Sequence, residues 1–148
     1  MQFAVPPPMR ARLAEYEGYH QALGNELCHF LGIPSIIAGA AALLALVPVA
    51  VIAGQRVTVT ELVTAGVVLF YLASARALGL VTSAIMIGLV AGGRALPWTA
   101  GFALFAAGWA AQLVGHAVYE KRSPAFVKNL LHLLVGPAWL VERALGRL

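Results

Sequence analysis

Apolar residues form long runs along this chain, and polar or turn-forming residues interrupt them at only a few points. The run over residues 33–53 carries no charge and is long enough to cross a ~30 Å hydrocarbon core at ~1.5 Å per helical residue. Similar runs follow, each bounded by glycine, proline, threonine or arginine. The pattern predicts four spanning helices, over residues 33–53, 61–75, 79–92 and 98–119.

The segment before the first span has the pattern of an amphipathic helix over residues 9–31. One stripe recurs at alternating spacings of three and four, which is typical of a helical face: Leu13, Tyr16, His20, Leu23, Leu27 and Phe30. Gly32 predicts the end of this helix, and Pro34 predicts the first turn of the next one. Residues 1–12 lack the pattern of a cleavable signal peptide, so we expect the chain to begin on the cytoplasmic membrane surface.

Two short helices are predicted after the last span. Ser123 as N-cap and Pro124 at the first helical position predict a helix that runs to about residue 135, where the Gly-Pro pair at 136–137 is expected to end or kink it. This helix is too short to cross a bilayer, so we expect it and residues 139–147 to lie at the interface. The predicted fold is an all-α membrane protein: a four-helix transmembrane bundle with an N-terminal amphipathic helix and short C-terminal interfacial helices, in one integral-membrane domain over residues 1–148.

Composition supports an integral membrane protein and excludes several other classes. Hydrophobic residues make up 61% of the chain and charged residues 11%, against about 25% charged in a typical soluble domain. So many apolar residues exclude intrinsic disorder, and Cys28, the single cysteine, excludes a disulfide framework. The net charge of +4 comes from basic residues beside apolar runs, so we expect membrane lipids rather than nucleic acid as partners.

The basic residues predict the orientation in the membrane. Four spans place both termini on one side, together with eight basic residues: Arg10, Arg12, Arg76, Lys121, Arg122, Lys128, Arg143 and Arg147. Only Arg56 and Arg94 face the other side. By the positive-inside rule we expect both termini in the cytoplasm, in the inner membrane of a bacterium or the endoplasmic reticulum of a eukaryote. The oligomeric state does not follow from the sequence.

Four histidines lie near the ends of predicted spans, and the predicted topology brings all of them to one membrane face: His20, His29, His116 and His132. Histidine is the commonest metal ligand among side chains. Gln112, His116 and Glu120 follow each other at spacings of four, and polar groups of this kind in a membrane helix usually face the bundle interior. A metal site is one interpretation, and a hydrogen-bonded contact between helices is the alternative.

The spacing of His20 and His29 sets a condition on a shared metal. At ~100° per residue, nine residues put them on opposite faces of a straight helix. They can bind one ion only if the helix breaks near Gly18 or Gly24. Imidazole-rich sites suit iron, copper, zinc or nickel, and the residues alone do not choose among these metals. Because the chain has no aspartate, a Ser-His-Asp triad is excluded.

Two groups of residues resemble the signatures of a known family. The first group lies around the start of the first span: Tyr19, His20, Asn25, His29, Gly32, Ile33 and Pro34. The second group lies at the end of the last span and just after it: Trp109, Gln112, Gly115, His116, Glu120, Pro124, Ala125 and Asn129. In this order and spacing they resemble the family of the yeast 2-hydroxy fatty acid dioxygenase, which acts in phytosphingosine breakdown. The resemblance covers nearly the whole chain.

The resemblance implies an iron(II)-dependent enzyme that uses dioxygen without 2-oxoglutarate and shortens a 2-hydroxy fatty acid by one carbon. It implies that four histidines hold Fe2+: His20, His29, His116 and His132. Glu120 and Asn25 match motif positions beside the metal, where they act in catalysis or orient the imidazoles. The iron is expected at head-group depth, so that the carboxylate and hydroxyl of the substrate reach it while the tail stays in the bilayer.

Two other functions remain open on sequence grounds. In a non-enzymatic membrane interaction protein, the histidines would only satisfy hydrogen bonds. In an electron-transfer subunit, two of them would bind haem. Metal content separates these hypotheses, because only the dioxygenase is expected to contain non-haem iron.

Overall fold

In the computed structural model, which describes residues 4–146, helices dominate and a single short β-hairpin interrupts them. The elements follow in this order: α1 Pro7–Glu17, α2 Leu23–Leu44, β1 Pro48–Ile52, β2 Gln55–Thr58, α3 Val59–Arg94, α4 Trp98–Val114, a π-helical turn Gly115–Glu120, a 3-10 turn Ala125–Val127 and α5 His132–Gly146. Three helical stretches of the described part are long and apolar enough to cross a membrane: α2, α3 and Trp98–Glu120. The predicted all-α class is confirmed. The count of four spans is not, because two predicted spans form the single element α3.

The N-terminal region forms two helices rather than the one predicted over residues 9–31. A non-helical segment, residues 18–22, separates α1 from α2. α2 then continues through Gly32 and Pro34, so the helix end predicted at Gly32 is wrong. A proline inside a helix costs a backbone hydrogen bond, but membrane helices tolerate it. Gly32 serves close packing, since a Cβ there would lie 2.9 Å from the carbonyl oxygen of Gly108.

A β-hairpin replaces the end of the first predicted span, residues 33–53, so that prediction is wrong beyond Leu44. β1 and β2 pair in antiparallel fashion, and Ala53 and Gly54 form the turn with φ angles of 48° and 78°. Two consecutive residues at positive φ are the mark of a type I′ turn, whose twist matches that of the strands. The sequence of β1 is rich in valine and isoleucine, which favour extended backbone.

α3 folds back on itself at Arg76, where the sequence predicted a break between residues 61–75 and 79–92. Arg76 has φ 49° and ψ −126°, which interrupts the helix. Arg94 at the end of α3 forms an ion pair with Glu61 near its start. In a straight helix these two residues would be about 50 Å apart at the usual rise per residue. The two halves of α3 therefore lie side by side.

Glycines allow α2 and α4 to form the most extensive helix–helix contact of the fold. They recur at spacings of seven or eight and so share one face of each helix: Gly24, Gly32 and Gly39 on α2, Gly101 and Gly108 on α4, and Gly115 just beyond. A Cβ at any of them would lie 2.3–2.8 Å from an atom of the opposite element. This stripe of small residues brings the start of α2 against the end of α4.

α1 and α5 cover one end of the bundle, next to the turn of α3. Buried side chains from these three elements form the core there: Met9, Leu13, Tyr16, Tyr71, Leu78, Val135, Ala138 and Trp139. The Tyr71 hydroxyl donates a hydrogen bond to the Leu134 carbonyl oxygen at 2.6 Å and ties α3 to α5. Large apolar side chains such as Leu31 and Leu69 point outward from the helices, as contact with lipid requires.

α5 differs from the short helices predicted after the last span. The segment after Pro124 contains only the 3-10 turn, and α5 continues through Gly136 and Pro137. The predicted helix start at Pro124 is therefore wrong, and of the two outcomes predicted at the Gly-Pro pair, the helix end does not occur. Gly136 again marks a close contact, since a Cβ there would lie 2.8 Å from the Tyr16 hydroxyl oxygen. The last residue of the predicted segment 139–147 lies outside the described residues.

Candidate metal centre

Three histidines from distant parts of the chain meet at the end of the bundle that α1 and α5 cover, which we call the histidine end. His20 lies between α1 and α2, His29 lies on the second turn of α2, and His116 lies on the π-helical turn. Their ring centroids are 4.2–4.9 Å apart, and each side chain is at most 2% exposed. Among the described residues, these three form the group whose ligand atoms are close enough to hold one metal ion.

The tautomers of His20 and His29 leave two lone pairs facing each other. His20 Nδ1 donates to the Tyr16 carbonyl oxygen at 2.7 Å, and His29 Nδ1 donates to the Asn25 carbonyl oxygen at 2.9 Å. These bonds assign the proton of each neutral ring to Nδ1 and leave Nε2 unprotonated. The two Nε2 atoms are nevertheless only 2.9 Å apart. A cation between them relieves the repulsion, and a backbone partner on the other nitrogen is usual for metal-bound imidazole.

The spacing of these nitrogens fits a shared ion. Two nitrogens bound to one ion at about 2.1 Å lie at most about 4.2 Å apart, and the Nε2 atoms of His20 and His29 meet this limit. The ligand atoms of all three histidines lie within 4.8 Å of one another, so His116 has to approach the other two slightly to share one ion with them. His20 and His29 are an unsuitable pair for the haem alternative, because Nε2 atoms 2.9 Å apart leave no space for a porphyrin between them.

Aromatic residues of α1 and α5 bury His20. The ring of Tyr16 stacks on it with centroids 4.1 Å apart, and the Trp139 ring lies 5.2 Å away. Burial, with a smaller contribution from the neighbouring His29, lowers the pKa of His20 to about 3. The ring is therefore neutral at physiological pH, which is the form that binds a metal. Burial also raises the pKa of Tyr16, so its hydroxyl stays protonated.

A π-helical turn sets the direction of His116. α4 ends at Val114, and the wider turn over Gly115–Glu120 follows without a break. Such turns are rare and occur frequently at functional sites. Gly115 lies directly against Asn25, since a Cβ there would lie 2.4 Å from Asn25 Oδ1. His116 Nδ1 is buried and has no hydrogen-bond partner among the described residues, as expected of a nitrogen that receives a ligand.

Glu120 holds the segment that carries His20. Its Oε1 accepts hydrogen bonds from the backbone N–H groups of Gln21 at 2.6 Å and Ala22 at 2.8 Å. Asn25 Nδ2 donates to the same oxygen at 3.3 Å. The carboxylate thus satisfies donors at the start of α2, where the helix dipole favours negative charge. Glu120 is partly exposed and lies outside the group of three histidines.

Asn25 connects the same segment to α2. It is completely buried, its carbonyl oxygen accepts from His29 Nδ1, and its Nδ2 lies 3.4 Å from the Tyr19 carbonyl oxygen. Arg122 adds a further tie, because its Nη1 donates to the Gly18 carbonyl oxygen at 3.1 Å. These contacts fix two imidazoles relative to each other, which is the role of residues that surround metal ligands.

His132, the fourth histidine, lies beside the group of three. Its ring centroid is 5.9 Å from that of Tyr16 and 6.1 Å from that of Tyr19. It is 2% exposed, and neither ring nitrogen has a hydrogen bond within the described part of the chain, although Glu15 Oε1 lies 3.5 Å from Nε2. The nearby Asn129 side chain is exposed and accepts a hydrogen bond from the Leu131 N–H.

A cavity of about 160 Å³, which we call the metal cavity, adjoins the histidines. Its polar end is formed by the four imidazoles and by Gln112, which is 6% exposed. The rest of its lining is mostly apolar and includes Ile33, Ile36 and Ile37 of α2. The cavity therefore places the imidazoles beside a hydrocarbon surface.

Comparison with known proteins bears directly on this arrangement. The family described as "2-hydroxy-palmitic acid dioxygenase Mpo1-like" matches residues 8–148. The chain belongs to this family. A relative, the 2-hydroxy-palmitic acid dioxygenase MPO1 of Saccharomyces cerevisiae, is 29% identical over 127 residues, which cover 86% of this chain and 73% of the yeast protein. No solved structure matches the chain.

Membership of the Mpo1-like family confirms the resemblance carried by the two sequence signatures. The structure adds that the signatures meet: His20 and His29 of the first lie against His116 of the second. Two residues of the site were missed by sequence reasoning. The apolar stripe identified Tyr16 only as a position on a helical face, and no pattern in the sequence pointed to Trp139.

Proposed function

We propose that this protein is an iron(II)-dependent dioxygenase that shortens a 2-hydroxy fatty acid by one carbon. The observation that carries the proposal is the group of three buried imidazoles, in which the Nε2 atoms of His20 and His29 lie 2.9 Å apart. The similar yeast protein is named a 2-hydroxy-palmitic acid dioxygenase, which supports the same substrate class for this chain. The apolar end of the metal cavity suits the tail of such a substrate.

The donor set favours a reactive iron over a structural zinc. Structural zinc sites are closed by four ligands and commonly include cysteine. The group here contains three imidazoles, and Cys28 is not part of it. Three protein ligands leave positions open for a chelating substrate and for dioxygen. Iron(II) held there supplies the redox activity that dioxygen chemistry requires.

The proposed reaction balances without 2-oxoglutarate. A 2-hydroxy acid and dioxygen give the fatty acid one carbon shorter, carbon dioxide and water. The bond between the carboxyl carbon and the hydroxyl-bearing carbon breaks, and the hydroxy acid supplies all the electrons that reduce dioxygen. In this proposal Tyr16 and Trp139 exclude water from His20. Glu120 and Asn25 hold the imidazoles in place.

The part that His132 plays stays a prediction. The resemblance assigns it to the metal, but its ring lies beside the group of three rather than within it. It lines the metal cavity with both ring nitrogens free of hydrogen bonds to the described residues. In our proposal His132 either joins the ligands when iron is bound or contacts the polar head of the substrate. The iron content of a His132→Ala variant separates these two roles.

We place the histidine end at the cytoplasmic surface of a bundle that crosses the membrane four times. The antiparallel halves of α3, together with α2 and the helix Trp98–Glu120, supply the crossings. Most described basic residues belong to the histidine end, on α1, at the turn of α3, after the π-helical turn or on α5: Arg10, Arg12, Arg76, Lys121, Arg122, Lys128 and Arg143. This orientation follows the positive-inside rule and sets the iron at head-group depth.

The test is turnover by protein purified without oxygen and loaded with iron(II). We expect 2-hydroxyhexadecanoic acid to drive oxygen consumption and to yield pentadecanoic acid, measured by mass spectrometry. Hexadecanoic acid, which lacks the hydroxyl group, is the matched substrate control, and the iron-free protein is the protein control. Iron-loaded protein that consumes no oxygen above the iron-free control would contradict the proposal.

A further inference from the structure

The metal cavity is too small for the whole of a long-chain substrate. It measures about 160 Å³, whereas pockets that enclose larger organic ligands usually begin at about 300 Å³. The imidazoles line part of it, and three isoleucines of α2 form an apolar wall along which a hydrocarbon tail can leave: Ile33, Ile36 and Ile37.

A second cavity, of about 200 Å³, begins behind two of these isoleucines. It lies between α2, the second half of α3 and α5, and we call it the tail cavity; its lining includes Phe30, Ile85, Met86, Leu140, Val141 and Ala144. Ile33, Ile37 and Pro137 line both cavities, so side chains of these three residues are what separates them.

The tail cavity has the chemistry of a hydrocarbon site. Thr82 is the one residue of its lining with a polar side chain. The Thr82 hydroxyl donates to the Leu78 carbonyl oxygen at 2.8 Å, which leaves its methyl group for the cavity. Ile85 and Leu145 of the lining are more than 40% exposed on the outer surface of the bundle, so the cavity opens where lipid is expected. A polar ligand would find no partner there.

A third cavity, of about 150 Å³, offers a competing route between α2 and both halves of α3. It shares Ile36 and Ile37 with the metal cavity and extends along α2 past Ala40. It is smaller than the tail cavity, shares fewer wall residues with the metal cavity and has two threonines, Thr60 and Thr64, in its lining. The tail cavity is therefore the better continuation.

We propose that the hydrocarbon tail of the substrate passes Ile33 and Ile37 and lies in the tail cavity. The inference rests on the proposed function, because it takes the occupant to be the tail of a 2-hydroxy acid whose head is at the histidines. Ile37 lines all three cavities and so lies where the two routes diverge.

Three alanine-to-phenylalanine substitutions test the route. Ala144→Phe fills the tail cavity, Ala40→Phe fills the third cavity, and Ala107→Phe adds the same ring on the exposed face of α4. For Ala144→Phe we expect kcat/KM on 2-hydroxyhexadecanoic acid to fall at least about tenfold, since displacing a methylene from an apolar pocket has an effect of this size. Turnover of 2-hydroxybutanoic acid stays unchanged, and the other two variants match the wild type on both acids. A selective loss in Ala40→Phe, or equal loss on both acids in Ala144→Phe, would overturn the inference.

A labelling experiment decides the same point without turnover. Iron-free wild-type protein in detergent is illuminated with a 2-hydroxy acid that carries a diazirine near the end of its tail, and labelled peptides are identified by mass spectrometry. We expect labels on α5 and on the second half of α3, near Val141 and Ile85. Labels near Val63 on the first half of α3 would place the tail in the third cavity instead. If no acid supports oxygen consumption but the labels fall on α5, the proposed function fails while the tail site stands.

Discussion

The two ends of the bundle share α2, α3 and α4 but differ in how completely their buried polar atoms are hydrogen-bonded. At the hairpin end, formed by β1, β2 and both ends of α3, polar groups pair with one another. Thr58 N–H and Oγ1–H donate to Glu61 Oε2 at 2.6 and 2.7 Å, and Arg94 forms an ion pair with Glu61. At the histidine end, buried polar atoms without a hydrogen-bond partner among the described residues are frequent, including Gln112 Nε2 and His116 Nδ1.

This difference separates residues that stabilise the fold from residues kept for binding. A buried polar group without a partner costs about 1–3 kcal/mol, and the histidine end contains several of them. The hairpin end shows that the same chain can satisfy its polar groups locally with a capping box and an ion pair. The unsatisfied nitrogens at the histidine end are therefore best explained by a ligand that binds them.

The largest expected difference between the ends is their side of the membrane. Reporter domains placed after residue 148 and after Gln55, in the turn region of the hairpin, are expected on opposite sides, because the basic residues concentrate at the histidine end. The measurement is the activity of a reporter that works only in the cytoplasm. The same signal from both fusions would exclude four crossings.

The next effect in size is loss of metal. His29→Ala and His116→Ala are each expected to reduce bound iron to background. Turnover is expected to fall by more than about 100-fold, which is the upper effect of substituting residues that surround metal ligands. Gln55→Ala at the hairpin end is the control and keeps both. Metal is quantified by mass spectrometry on protein of unchanged helicity. His132→Ala, measured in parallel, loses iron only if His132 is a ligand. If His29→Ala and His116→Ala both keep full iron and full turnover, the hypothesis of a shared metal site is wrong.

Substitutions of two glutamates, one at each end of the bundle, are expected to have effects of intermediate size. Glu120→Ala removes the acceptor of the Gln21 and Ala22 N–H groups. We expect it to weaken iron affinity or turnover about 10–100-fold. Glu120→Gln keeps an acceptor oxygen and is expected to restore part of the lost affinity and turnover. Glu61→Ala at the hairpin end is expected to lower the free energy of unfolding by about 1 kcal/mol, the loss of a helix cap, with iron unchanged. Equal iron loss in both alanine variants would show that Glu120 acts through stability alone.

The smallest expected effects come from two glycines. Gly115→Ala puts a Cβ 2.4 Å from Asn25 Oδ1 and is expected to lower the free energy of unfolding by about 1–3 kcal/mol and to weaken iron binding. Gly88→Ala meets no atom within 4 Å and is expected to raise the free energy of unfolding by up to about 1 kcal/mol, the difference in helix propensity. The free energy of unfolding of both variants is measured by thermal unfolding in detergent. If Gly115→Ala has the free energy of unfolding and the iron binding of the wild type, α2 and α4 tolerate a wider separation.

Several features of the fold followed from local patterns. Hydropathy predicted the helical class, and Arg76 and Gly79 in an apolar run predicted the break at which α3 folds back. The nine-residue spacing of His20 and His29 predicted that a shared site needs a helix break, and the break lies at residues 18–22. These are consequences of helical periodicity and of the cost of charge in an apolar run, both of which can be evaluated from neighbouring residues.

Other features depended on packing between distant segments, which local patterns do not encode. Gly32 predicted a helix end, and Gly136 with its following proline predicted an end or a kink. Both helices continue, because these glycines lie against Gly108 and Tyr16 and the buried contact outweighs the broken hydrogen bond. The β-hairpin, the π-helical turn and the reach of Glu120 to Ala22 likewise required the tertiary structure. The sequence by itself determined that histidines gather at one end of an apolar bundle. Only the tertiary structure decided which nitrogens face one another. The break at residues 18–22 turns His20 towards His29, and the fit of α4 against α2 brings His116 to both, because a rotation of either helix would direct the same residues into lipid.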